Sequence, residues 1–227
     1  RKYYRLPLKS ALDWEQMLAY LKLRAIPGVE TIDGHHYRRS FVWDRIQGCL
    51  SVAPDPVSNC LRIKVDCQAP IQLKGITRRV GNIFDLNAPV KAIRRLLEND
   101  PLLAGALKLS PLPRVPGTWD GFELAIRAIV GQQVSVKGAT TVAGRLVHKF
   151  GQRLPSSLAN NGAGLTHLFP SPKALAHAPA TKMSMPLARA MTIQGLAQAV
   201  LDNKLTIDPA ADPNRTVQQL ERIKGIG

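Results

Sequence analysis

The sequence predicts an α+β protein: a small antiparallel sheet with two helices in the first part of the chain, then an all-helical second part. Residues 61–67 alternate strictly, with Leu61, Ile63, Val65 and Cys67 set against Arg62, Lys64 and Asp66, which is the period of a half-buried strand. From Pro89 onward the apolar residues recur at helical spacing instead. Hydrophobic residues make up 45% of 227, a globular composition with enough chain for one or two domains. The seam is expected near 86–89, which gives an N-terminal α+β domain over 1–87 and an all-α domain over 88–227.

In chain order, Asp13 is placed to cap a helix over 14–24, with Trp14, Met17, Leu18 and Leu21 at i, i+3, i+4 and i+7. Pro27-Gly28 ends it. Strands are expected at 37–43, 48–53 and 61–67, separated by Pro54-Asp55-Pro56 and Ser58-Asn59 turn signals. A second helix over 73–84 carries Ile76, Val80, Ile83 and Phe84 on one face. Pro89 reads as the first position of a third helix whose buried stripe is Ile93, Leu96 and Leu97, closed by Asn99-Asp100-Pro101. A proline-rich connector over 110–117 leads to a helix over 120–130. The segment Gly131-Gln132-Gln133-Val134 breaks that helix, and Ser135 caps the next, which Gly151 stops. Residues 155–170 read as loop, 186–201 as helix, 208–213 as connector and 214–223 as a last helix.

Lys plus Arg number 31 against 16 Asp plus Glu, a net charge of +15. The layout matters more than the sum. After Glu123 the next acid is Asp202, and between them lie Arg127, Lys137, Arg145, Lys149, Arg153, Lys173, Lys182 and Arg189. Such a stretch suits a surface that faces a polyanion, and nucleic acid is the expected partner. No apolar run approaches the ~20 residues of a membrane span, and no membrane partner is expected. Cys49, Cys60 and Cys67 show no metal-ligand spacing and cannot all pair, which fits a reducing cytosol, and they read as small buried hydrophobes. The five histidines (His35, His36, His148, His167 and His177) read as surface imidazoles, so neither a metal nor a cofactor is expected. The chain opens on Arg1 rather than Met and stops at Gly227 directly after a helical pattern, so a longer parent protein is expected.

Two motifs carry chemistry. The terminal Leu220-Glu221-Arg222-Ile223-Lys224-Gly225-Ile226-Gly227 has the form of a helix followed by a glycine-hydrophobe-glycine corner. Its glycines permit positive φ and close approach, Ile226 can plug the corner into the core, and freed amides of Gly225, Ile226 and Gly227 can hold a DNA phosphate without reading sequence. The second is Trp119-Asp120-Gly121-Phe122-Glu123-Leu124-Ala125-Ile126-Arg127-Ala128-Ile129-Val130-Gly131-Gln132-Gln133-Val134-Ser135-Val136. With Asp13-Trp14, with Arg24-Ala25-Ile26-Pro27-Gly28-Val29-Glu30, and with Met185-Pro186-Leu187-Ala188-Arg189-Ala190, it resembles the bacterial 3-methyladenine DNA glycosylase II family, from about residue 6 to 227.

That resemblance implies the helix-hairpin-helix glycosylase fold and base-excision repair: an alkylated purine is extruded from double-stranded DNA and its N-glycosidic bond is hydrolysed by a monomer that makes no strand cut. It places Gln132 and Tyr20 in the pocket for the extruded base and Gln133 at the wedge that enters the duplex, where the family often has leucine. It puts the catalytic aspartate and most pocket aromatics beyond Gly227, so residues 1–227 alone are expected to be inactive. Asp202, Asp208 and Asp212 read as helix-end and turn residues. The start, Arg1 to Arg5, is similar to the junction of a fusion with an alkylation-response regulator. Two other functions fit the same residues: a DNA-binding or damage-sensing module without catalysis, and a glycosylase/lyase for oxidised bases, which needs a nucleophilic lysine.

Overall fold

The computed structural model describes residues 2–159, 164–208 and 210–226. Its sheet has five antiparallel strands in the order β1-β5-β4-β3-β2, made of β1 (Lys2–Pro7), β2 (Glu30–Asp33), β3 (His36–Trp43), β4 (Ile46–Pro54) and β5 (Cys60–Cys67). The alternation along β5 does what its period requires, since Leu61, Ile63 and Val65 are all buried. Asp44 and Arg45, both at positive φ, make the two-residue turn that pairs Trp43 with Ile46. Strands β1 and β2 are additions to the three that the sequence predicts. Both are edge strands, one largely exposed and one only four residues long, so neither shows a clear alternation.

Helices α1 (Trp14–Arg24) and α2 (Leu73–Ile83) pack Trp14, Met17, Leu18, Leu21, Ile76, Val80 and Ile83 against the sheet. The Asp13 carboxylate accepts from the Gln16 amide at 2.9 Å and fixes where α1 begins. The remaining helices are α3 (Val90–Glu98), α4 (Pro101–Leu109), α5 (Gly121–Gly131), α6 (Val136–Phe150), α7 (Ser156–Ala159), α8 (Pro172–Ala176), α9 (Leu187–Leu201) and α10 (Pro213–Glu221). A second apolar cluster joins α5, α6 and α9 through Ile126, Ile129, Val130, Leu146, Val147, Ile193 and Leu196. The two clusters are dovetailed: Trp119 belongs to the sheet cluster and stacks 5.2 Å from Phe41, while Ile26 and Val29 belong to the helical one.

Several expectations are corrected. Pro89 stands one place before α3 rather than at its first position. The stripe of α3 is not buried: Leu96 is 73% exposed and only Val90 lies inside, because α3 pairs with α4 at the surface instead of lying on a core. Asp100 closes α3 but also caps α4, a helix the sequence reading passed over. The loop at 155–170 contains α7, with residues 160–163 outside the described set. His167 is buried rather than on the surface: its carbonyl accepts from Ser40 Oγ at 2.6 Å, and burial holds its imidazole below the usual value. Cys49 is buried with its thiol pushed up to about 12 by desolvation, whereas Cys60 and Cys67 are half-buried.

Candidate functional site

The C-terminus of α1, the helices α5 and α6, and the connector at Pro116, Gly117 and Thr118 enclose a cavity of about 310 Å³. Its walls are largely apolar, including Ile26, Leu124, Ala128, Val130, Val134, Ala139 and Ala143. Tyr20 and Arg24 stand on one side, with the Arg24 guanidinium 3.7 Å from the centre of the Tyr20 ring. Tyr20 is not on the buried face of α1. Successive helical residues turn by about 100°, which carries position 20 off the stripe of Trp14, Met17, Leu18 and Leu21 and leaves it 39% exposed.

The polar side of the cavity is a charge network that the sequence did not reveal. Glu30 follows the turn after α1, Arg39 lies on β3, and Glu123 and Arg127 lie one turn apart on α5. Arg127 pairs with Glu30 and, at 2.6 Å, with Glu123, while Arg39 pairs with Glu123 at 2.7 Å. Tyr37 donates to Glu30 at 2.6 Å, and the Ile26 amide donates to the other Glu30 oxygen at 3.1 Å. Burial works to raise the Glu123 pKa, but the two guanidiniums facing it outweigh burial and hold it at about 2. Arg39 and Arg127 are desolvated too, yet the carboxylates hold both firmly protonated. Arg127 thus leaves the set of eight outward cations. It is half-buried on the cavity wall and neutralised, whereas Lys137, Arg145, Lys149, Arg153, Lys173 and Lys182 are exposed and form no ion pair among the described residues.

Next to the cavity runs the corner between α5 and α6. Asp120 caps α5 and Ser135 caps α6, accepting at 2.8 and 3.1 Å from the Glu123 and Gly138 amides. Gly131 and Val134 line the cavity; Gln132 and Gln133 between them are exposed and are not among its walls. Gln133 sits at φ 55°, a left-handed conformation that sharpens the corner, and the Gln132 carbonyl accepts from Arg189 of α9 at 2.7 Å.

The terminal corner is formed as well. Gly225 adopts φ 93°, and a Cβ there would lie 2.2 Å from Thr192 Oγ1, so its need for glycine comes from α9 as much as from any ligand. Thr192 Oγ1 in turn donates to the Lys224 carbonyl at 3.0 Å, and Ile226 packs on the helical core. Gly227 lies outside the described residues, as does Arg1. Asp202 and Asp212 are a helix end and a cap, and Asp208 accepts from the Ala210 amide in a turn. Among the described residues no group of His, Cys, Asp and Glu could hold a metal ion, and no helix is long and apolar enough to cross a membrane.

The family described as AlkA N-terminal domain matches residues 3–120. DNA-3-methyladenine glycosylase 2 of Escherichia coli (strain K12) is 30% identical over 230 residues, covering 99% of this chain and 76% of that protein. A Mycobacterium tuberculosis (strain ATCC 25618 / H37Rv) protein named "Probable bifunctional transcriptional activator/DNA repair enzyme AlkA" is 36% identical over 225 residues. This chain spans 44% of its length. A 3-methyladenine DNA glycosylase structure from Archaeoglobus fulgidus superposes with a TM-score of 0.79 at 21% identity, covering 99% of this chain and 75% of that one, which shows a shared fold. With half of the sequence matched by the family pattern and three quarters of the Escherichia coli relative covered, the chain belongs to the AlkA family of DNA-3-methyladenine glycosylase 2.

Proposed function

We propose that this chain is the DNA-engaging part of a base-excision glycosylase that extrudes an alkylated purine from double-stranded DNA and hydrolyses its N-glycosidic bond without cutting the strand. The observation that carries the reading is the cavity between Tyr20 and the 131–135 corner. Its volume of about 310 Å³ has room for one base, most of its lining is apolar, and it has an aromatic ring on its wall. An N3- or N7-methylated purine is already cationic, and the Tyr20 face, once Arg24 moves off it, favours such a base by about 0.5–2 kcal/mol. The exposed, sharply turned Gln133 is the wedge that fills the vacated stack, with Gln132, next to the cavity-lining Gly131, meeting the base as it enters, while Gly225, Ile226 and Gly227 hold backbone phosphate. The division into an α+β unit over 1–87 and a helical unit over 88–227 suits a cavity that draws on both. The protein acts as a monomer in the cytoplasm.

Catalysis needs a carboxylate to stabilise the developing sugar cation. Among the described residues the one acid on the cavity wall, Glu30, is engaged by Arg127, Tyr37 and the Ile26 amide. That observation favours a second reading for residues 1–227 alone, namely binding without chemistry. Release of free methylated purine from alkylated duplex decides between them. The intact protein that carries this chain is expected to release base without nicking the strand, whereas residues 1–227 bind duplex and release nothing. No release by the intact protein indicates a sensing module, and strand scission indicates a lyase.

A further inference from the structure

The last four carbonyls of a helix have no partner within it, and some other group must satisfy them. At the end of α1 two of these partners are side chains of other helices. Arg127 Nη1, from α5, donates to the Arg24 carbonyl at 2.9 Å, and Thr140 Oγ1, from α6, donates to the Leu23 carbonyl at 3.3 Å. One donor comes from each of the two helices that flank the 131–135 corner. Tyr20 lies one turn back on α1, where its own carbonyl accepts from Arg24 at 3.3 Å. The Arg127 guanidinium is oriented from behind by Glu123 and Glu30, and its charge complements the negative end of the α1 dipole. The single Thr140 hydroxyl proton is shared between the Leu23 carbonyl and the Val136 carbonyl of its own helix, which lies at 2.9 Å. Both residues line the cavity, as do Tyr20 and Arg24.

We infer that Arg127 and Thr140 are positioning residues: they clamp the C-terminus of α1 to the two helices of the corner, and so set how far the Tyr20 ring stands from the corner across the cavity. The functional part of this inference rests on the glycosylase reading. The clamp itself does not. Arg127 forks between two carboxylates and a carbonyl, a geometry that a lysine ammonium cannot reproduce although it keeps the charge. Thr140→Val removes the hydroxyl and keeps the shape, so it remains informative if Arg127→Lys fails to fold.

The test uses Arg127→Lys and Thr140→Val in the intact protein, with amide hydrogen exchange over residues 20–26, affinity for methylated duplex and the single-turnover rate of base release. Protection over 20–26 is expected to fall in both variants. Duplex affinity should hold within about twofold while the Arg127→Lys rate drops between about ten- and a hundredfold, as expected for a reacting group displaced by an ångström or less. A general structural role would weaken binding and rate together. Unchanged protection over 20–26 in both variants overturns the clamp, and loosened protection with a wild-type rate overturns its role in positioning. If the wild-type protein releases no methylated purine, the glycosylase reading fails, and the exchange measurement alone decides for or against the clamp.

Discussion

Arg39 Nη2 lies 2.7 Å from Glu123 Oε2 with both residues 1% exposed, so β3 and α5 are joined through a charge pair sealed from water. Removal of one partner strands the other charge in the interior. Glu123→Ala should therefore lower the unfolding free energy by about 3–5 kcal/mol, while Arg39→Met with Glu123→Leu, which leaves the Arg127–Glu30 pair neutral, should cost much less. Denaturant titration of the single and double variants checks this, and a double variant as unstable as the single would sink it.

The same carboxylate predicts a pH dependence. Glu123 is faced by Arg39 and Arg127, with Glu30, Tyr37 and Asp120 also near, and its pKa falls from 4.5 to about 2 on folding. A depressed folded pKa means that the unfolded chain takes up a proton first as pH falls. The stabilisation is full above pH 4.5 and is lost between 4.5 and about 2. The stability gap between wild type and Glu123→Gln should be widest at neutral pH and shrink across that window. A gap that does not change with pH would contradict the assignment.

Gly225→Ala should destabilise the terminal corner, because φ 93° is strained for alanine and the new methyl meets Thr192 Oγ1 at 2.2 Å. Strain of this kind costs about 1–3 kcal/mol. Adding Thr192→Ala should recover the steric part but not the backbone part. Melting temperatures of the two variants separate these contributions, and no loss in Gly225→Ala would mean that the corner has another conformation.

Affinity for duplex DNA should fall with salt, since phosphate contacts release counterions. Lys137, exposed in the first turn of α6 just past the corner, is the cation to test first. Lys137→Gln should reduce the slope of log affinity against log salt by about 1. A salt-independent affinity would remove the electrostatic basis of the DNA reading.

What could be read from the sequence was what neighbours in the chain decide. The caps Asp13 and Ser135 act over three residues, so the starts of α1 and α6 are legible in the sequence, whereas Asp120, read as the first residue of its helix, is the cap that precedes α5. The corner at 131–134 was visible for the same reason. The charge network was not. Arg127 meets Glu30 across 97 positions and Arg39 meets Glu123 across 84, while the i,i+4 partner Glu123 stands just outside the acid-free stretch, so counting acids only after Glu123 makes a largely buried, neutralised guanidinium look like a surface cation. The Leu96 stripe misled in the opposite sense, since periodicity marks an apolar face but not what covers it. The cavity was only half legible: Tyr20 is on its wall but off the buried stripe, and Gln132 stands at the corner while Gly131 and Val134 form the wall.

If a base leaves the duplex at the corner and enters the cavity beside it, Gln133 is the side chain that takes its place in the stack. Unstacking a base costs a few kcal/mol that the inserted wedge must partly offset. In the intact protein, single-turnover release of a methylated purine is to be compared for wild type and Gln133→Ala on duplex and on single-stranded DNA of the same sequence. Gln133→Ala should be slower than wild type on duplex and unchanged on the single strand, and Gln133→Leu should be at or above wild type on duplex. Equal rates for wild type and Gln133→Ala on duplex would contradict it and leave the 131–135 corner as a connection between two helices.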